Sequence, residues 1–151
     1  PRLLERAGTS AGPGSITGVY TVLVEGDDLS DPIADAVRAI LDGHIVLSRQ
    51  LAERGHFPAV DLPRSVSRVM TDVVSPARMG LAQQARELLA AHREVYDLLA
   101  IGAYKPGSIP RLDDALARMP QLEAFLRQRS NEVPSAEETA RQLEAIWKDL
   151  S

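Results

Sequence analysis

Apolar residues fill both alternating faces of residues 16–24 (ITGVYTVLV), and most of them are β-branched. That pattern predicts a strand covered on both sides, as in a parallel α/β sheet. Asp31 and Pro32 form an N-cap and first-turn pair, and Ile33, Val37, Ile40 and Leu41 then recur at helical spacing until Gly43. Residues 44–48 (HIVLS) predict a second short strand, so the order is strand, helix, strand, the grammar of a βαβ unit. Residues 49–54 predict a short helix stopped by Gly55, and residues 56–63, with two prolines, an ordered loop.

From about Ser75 the pattern changes. Ser75 and Pro76 repeat the cap signal, and Leu81, Ala85, Leu88, His92, Val95 and Leu99 form a stripe at alternating spacings of four and three. This predicts a long amphipathic helix to about Ile101. After a loop (GAYKPGSIP), a short helix is expected around Leu112, Ala115, Leu116 and Met119, and another over residues 122–126. Ser135 and Glu138 make a capping box for a last helix carrying Ala140, Leu143, Trp147 and Leu150 on one side. The fold class is therefore α/β followed by all-α, with residues 1–75 and 76–151 as the two parts. Leu3, Leu4 and Ala7 suggest a helix already under way before the Gly- and Pro-rich loop at 8–15, as in a segment of a longer protein.

Composition narrows the function. Of 151 residues, 44% are hydrophobic and only 4% aromatic, so a core must be built mainly from Leu, Ile, Val and Ala. A net charge of −4 argues against a nucleic-acid binder that works by general attraction to phosphates. All 17 basic residues except Lys105 and Lys148 are Arg, the better bidentate phosphate ligand. The absence of Cys removes disulfides, thiolate metal sites and thiol catalysis.

No catalytic constellation is complete. His44, His56 and His92 lack metal-ligand spacing, and His92 on an apolar stripe reads as a core or boundary residue. The 8–15 loop lacks the Lys-Ser/Thr ending of a phosphate loop. Asp27 and Asp28 read as turn formers, and Ser65 and Ser67 have no base nearby in sequence. What stands out is VDLPRSVSR, residues 60–68, where a Pro-stiffened loop delivers arginines at the end of an α/β layer. By residue type alone, such an Arg serves a structural ion pair or a ligand.

Here the chain resembles a known family. Residues 14–70, with the blocks SDPIADAVRAILDGHIVLSR and GHFPAVDLPRSVSR, are similar to the catalytic-domain end of flagellum-specific ATPases of the type III secretion ATPase family, relatives of the rotary ATP synthase α and β subunits. The likeness continues through DLLAIGAYKPGS and MPQLEAFLRQ. It implies the C-terminal strands and helices of a RecA-like nucleotide domain followed by a small helical bundle. It also implies a homohexameric ring that hydrolyses ATP at subunit interfaces and assists protein export.

Within SVSR, Arg68 aligns with the arginine finger that reaches the neighbouring subunit's nucleotide, and Phe57 with an aromatic position that packs on adenine. Catalytic work is thus expected of Arg68, nucleotide contact of Phe57 and Arg68, and structural roles of Arg49 and Arg64. The phosphate loop, the Mg²⁺ ligands and the catalytic Glu of the family belong upstream and do not occur in these residues. The segment alone is then expected to be inactive, with ATP and Mg²⁺ serving the full-length protein and no metal ligand here. Expected partners are identical subunits, stalk and regulator proteins of the export apparatus and exported proteins, with Tyr104 and Lys105 as stalk contacts. The resemblance places the protein in the cytoplasm, peripheral at the inner-membrane export apparatus, without nucleic acid. Two alternatives stand beside it: a non-catalytic helical interaction module, and a rotary β-type subunit.

Overall fold

Residues 4–9, 11–24 and 32–148 are described by the computed structural model, in two units that part between His44 and Ile45. Leu3, the acidic loop at 25–28, the Asp31 cap, the Ile33 side chain and Leu150 lie outside the described residues.

In the first unit, a single 3₁₀ turn at Leu4–Arg6 precedes a two-residue hairpin, β1 (Gly8–Thr9) paired antiparallel with β2 (Ser15–Ile16). The loop expected at 8–15 is therefore bracketed by a short ladder. The helix α1 (Pro32–Ile40) follows as expected, and a brief strand β3 (Gly43–His44) ends the unit. The expected strand at 16–24 is not formed. Beyond Ile16 no ladder includes residues 17–24 among the described residues, and Val19 and Leu23 are 91% and 94% exposed. Apolar patterning selects which residues suit a buried strand, but interstrand hydrogen bonds hold one in place, and those must come from a neighbour.

The strand expected at 44–48 is reduced to His44, at the end of β3, and, in the second unit, a single antiparallel bridge from Leu47 to Val60. The helix α2 (Arg49–Glu53) starts where Ser48 Oγ accepts the Leu51 N–H, 3.3 Å. It ends in a Schellman motif: Gly55, at φ +67°, and His56 donate their N–H groups to Ala52 and Leu51 carbonyls, both 2.9 Å. Only glycine takes that left-handed position at little cost. After β4 (Val66–Ser67) and the turn α3 (Met70–Val73), the helix α4 (Pro76–Ala100) runs for 25 residues. Ser75 Oγ caps it, and Gly102, also at φ +67°, closes it with a second Schellman motif.

The helical core is made where α4 meets α5 (Pro110–Leu126) and both meet α6 (Ala136–Lys148). Ala85, Leu88, Ala91 and Val95 face Leu112, Ala115, Met119 and Leu122, with Ile146 and Tyr104 closing the ends. Alanines on both helices let the backbones approach and suit a chain poor in aromatics. The two short helices expected at 112–126 are one continuous helix that carries Pro120 inside it. Pro120 removes one backbone donor, but it lies on the exposed side of the helix, while the buried face continues past it. Ser135 caps α6 as expected, its Oγ accepting the Glu138 N–H at 3.1 Å.

Tyr104 belongs to the helical core. Its ring is buried, and its hydroxyl donates to Asp113 Oδ1 at 2.6 Å, while the Gly107 N–H donates to the same oxygen at 3.0 Å. These bonds hold the Asp113 carboxyl below its ordinary range and push the Tyr104 phenol up. Lys105, its neighbour, is exposed.

Candidate functional site

Residues 45–68 hold the candidate site, and main-chain hydrogen bonds tie them down at several points. Ser48 donates to the Ala59 carbonyl and Asp61 to the Val46 carbonyl, both 2.8 Å. Asp61 then begins a single tight turn. Its Oδ1 accepts the Arg64 N–H at 3.2 Å, and the Ser65 N–H reaches the carbonyls of Asp61 and Leu62 at 3.0 and 3.2 Å. Pro63 suits the first position after Leu62 in this turn, since its φ is preset and its missing N–H costs nothing there.

Ser65 is buried, and its hydroxyl joins two strands of the loop: it donates to the Asp61 carbonyl at 2.7 Å and accepts the Val46 N–H at 3.0 Å. This hydroxyl is a structural crosslink, not a nucleophile. Outside the loop, Arg86 of α4 places Nη1 on the Leu62 carbonyl at 2.9 Å and Nη2 on the Ser65 carbonyl at 3.0 Å. The other end of the loop is held too, because the Gln128 N–H, just beyond α5, donates to the Phe57 carbonyl at 2.9 Å.

The two residues singled out from sequence enter and leave this loop. Phe57 precedes Pro58 through a cis peptide bond and its ring is 56% exposed, although its backbone is pinned. Arg68 follows β4 directly and is exposed. A backbone held by hydrogen bonds, with an exposed aromatic residue at one end and an exposed arginine at the other, suits a planar base and an anionic group. Among the described residues, no three His, Asp or Glu side chains come together as metal ligands, and no helix is long and apolar enough to cross a membrane.

Arg86 and Gln128 escaped the sequence reading, and Ser65 entered it only as a hydroxyl without a base. For Arg86 the signal was weak: it borders the apolar stripe of Ala85 and Leu88, where a long basic side chain can pack its stem, but Arg78 and Arg93 lie on the same helix and nothing in sequence names a partner. Ser65 and Gln128 carried none, since a hydroxyl and a backbone N–H mark no partner in sequence.

Two imidazoles lie against this framework. His56 is buried beside Phe57, and desolvation followed by the Arg127 charge lowers its pKa, with Glu123 opposing. His92, half-buried on α4 and edge-on to Tyr96 with ring centroids 4.9 Å apart, is lowered by burial, again against Glu123. A His with a lowered folded pKa binds its proton more readily when unfolded, so stability is full above about 6.5 and falls as pH drops through that value. The melting temperature should therefore decrease between pH 7 and pH 5, and a His56→Gln/His92→Gln variant should show a shallower decrease. Equal slopes for the two proteins would remove both imidazoles as the cause.

Residues 1–67 match the nucleotide-binding domain of the ATP synthase alpha/beta family, and residues 74–145 match the C-terminal domain of the type III secretion ATPase EscN. The chain belongs to the type III secretion and flagellum-specific ATPase family. Among its relatives, the flagellum-specific ATP synthase of Pseudomonas aeruginosa is 50% identical over 97% of this chain and 33% of its own length. The type 3 secretion system ATPase of Pseudomonas syringae pv. syringae is 48% identical over 99% of this chain and 33% of its own. The assembled EscN ATPase of enteropathogenic Escherichia coli superposes with a TM-score of 0.90 at 44% identity, covering 96% of this chain and 35% of that one. EscN in complex with its central stalk EscO gives 0.85 at 42% identity, covering 97% and 34%. The chain thus spans about a third of the length of the curated relatives it matches.

Proposed function

We propose that this chain supplies the arginine finger and part of the adenine pocket of an ATPase that assists flagellar or type III protein export. In this reading residues 1–75 complete a nucleotide domain and residues 76–151 form the helical domain that follows it. Arg68 reaches the nucleotide of the adjacent subunit in a homohexameric ring and accommodates negative charge as it develops on the transferring phosphoryl group. Phe57 packs its ring on adenine. Bound ATP and Mg²⁺ supply the phosphoryl group and its charge neutralisation, and the metal ligands lie outside this chain, which by itself is inactive. Stalk and regulator proteins of the export apparatus and exported proteins are the partners, at the cytoplasmic side of the inner membrane.

The observation that carries this reading is the exposed Arg68 at the end of a loop whose backbone is fixed on both sides. The match of residues 74–145 to the EscN C-terminal domain favours an export ATPase over a rotary subunit. The adenine assignment is tested in the full-length protein with Phe57→Ala. Aromatic stacking contributes ~0.5–1.5 kcal/mol, so KM for ATP should rise about 2- to 10-fold with kcat little changed, and Phe57→Tyr should restore it. A KM for Phe57→Ala equal to that of the parent removes Phe57 from the pocket.

A further inference from the structure

We infer that Arg86 is a positioning residue for Arg68: from the long helix it holds the loop that carries the arginine finger. The inference rests on the proposed role of Arg68. The Arg86 fork meets two carbonyls, Leu62 at 2.9 Å and Ser65 at 3.0 Å, that bracket the tight turn. From Ser65 only Val66 and Ser67 intervene before Arg68. Any displacement of the Ser65 carbonyl is therefore passed along two extended residues to the guanidinium that must meet the phosphoryl group, where ~1 Å of misplacement can cost about 100-fold in rate.

The geometry also explains the residue type. Both carbonyls are neutral acceptors facing one planar, permanently charged donor pair, which a guanidinium spans and an ammonium does not. Arg86 follows Ala85 and precedes Leu88 on α4, both part of the core shared with α5 and α6. Arg86 thus ties the helical bundle to the end of the loop that leads into Arg68, and a shift of α4 is delivered there by the same two hydrogen bonds. Among the described residues no carboxylate takes part in this clamp; its acceptors are both main-chain oxygens.

The test uses the full-length protein with Arg86→Ala and Arg86→Lys, each alone and combined with Arg68→Ala. It reads single-turnover ATP hydrolysis, KM for ATP, and amide hydrogen exchange. Arg86→Ala is expected to lower the hydrolysis rate about 10- to 100-fold, with KM within about twofold. Arg86→Lys is expected to recover little of it. Once Arg68 is already Ala, losing Arg86 should cost less than about twofold more, because both act through one contact. Exchange should quicken in residues 62–68 and stay unchanged in α4 and α5. A rate within twofold of the parent for both single variants, a full second loss in the Arg68→Ala background, or faster exchange throughout the bundle would each overturn the positioning role. Unchanged hydrolysis by Arg68→Ala alone overturns the finger assignment instead, and exchange at 62–68 still reports whether the clamp exists.

Discussion

Arg68→Ala in the full-length protein is expected to reduce ATP turnover by ~10³–10⁵, equal to about 4–7 kcal/mol of barrier, while nucleotide still binds. The size of the effect follows from timing. A guanidinium that meets the phosphoryl group as charge builds up contributes to the transition state and little to the ground state, so kcat falls and KM holds. Arg68→Lys should recover only a small part, because an ammonium lacks the planar pair of donors. Steady-state hydrolysis and equilibrium nucleotide binding, measured together, check this. Turnover that survives the Ala substitution within tenfold would rule out a transition-state role for position 68. The exposed position of Arg68, after a turn fixed by Ser65 and Arg86, is the structural condition for reaching beyond its own chain.

The second large effect concerns stability. Leu112 is fully buried between α4 and α5 and shares the core with Val95 and Leu122. Leu112→Ala should destabilise the 151-residue chain by about 3–5 kcal/mol, the upper part of the range for such truncations, since rigid helices on both sides cannot collapse into the cavity. Leu116→Ala, one turn away on the exposed side of the same helix, should cost less than about 1 kcal/mol. Equilibrium urea denaturation of the two variants makes the comparison, and similar midpoints would mean that α5 is not packed as described.

The helices were legible because their signals are local. The Ser75-Pro76 start, the Gly55 and Gly102 stops and the Ser135 cap all act within one turn, and each occurs where the residues indicate. The two short helices expected over 112–126 are one, because the buried face from Leu112 through Leu122 runs on across Pro120 and keeps α5 whole. The strand at 16–24 misled, as its apolar pattern is real but its hydrogen-bonding neighbours are not among the described residues of this chain.

The site divides in the same way. Phe57, Arg68, Asp61 and Pro63 were visible as an aromatic, a cation and turn formers within twelve residues. What set their geometry was not visible: Val46 reaches Ser65 across 19 positions, Arg86 reaches Ser65 across 21, and Gln128 comes to Phe57 from beyond α5. The chain by itself determined its helices, its caps, its composition of core and the identity of its chemically capable residues, because those depend on spacing and side-chain type. Only the tertiary structure decided that Tyr104 is buried, that Ser65 is a crosslink and that Arg86 holds the arginine loop, because a hydrogen bond to a main-chain carbonyl leaves no mark on the identity of the residue that accepts it.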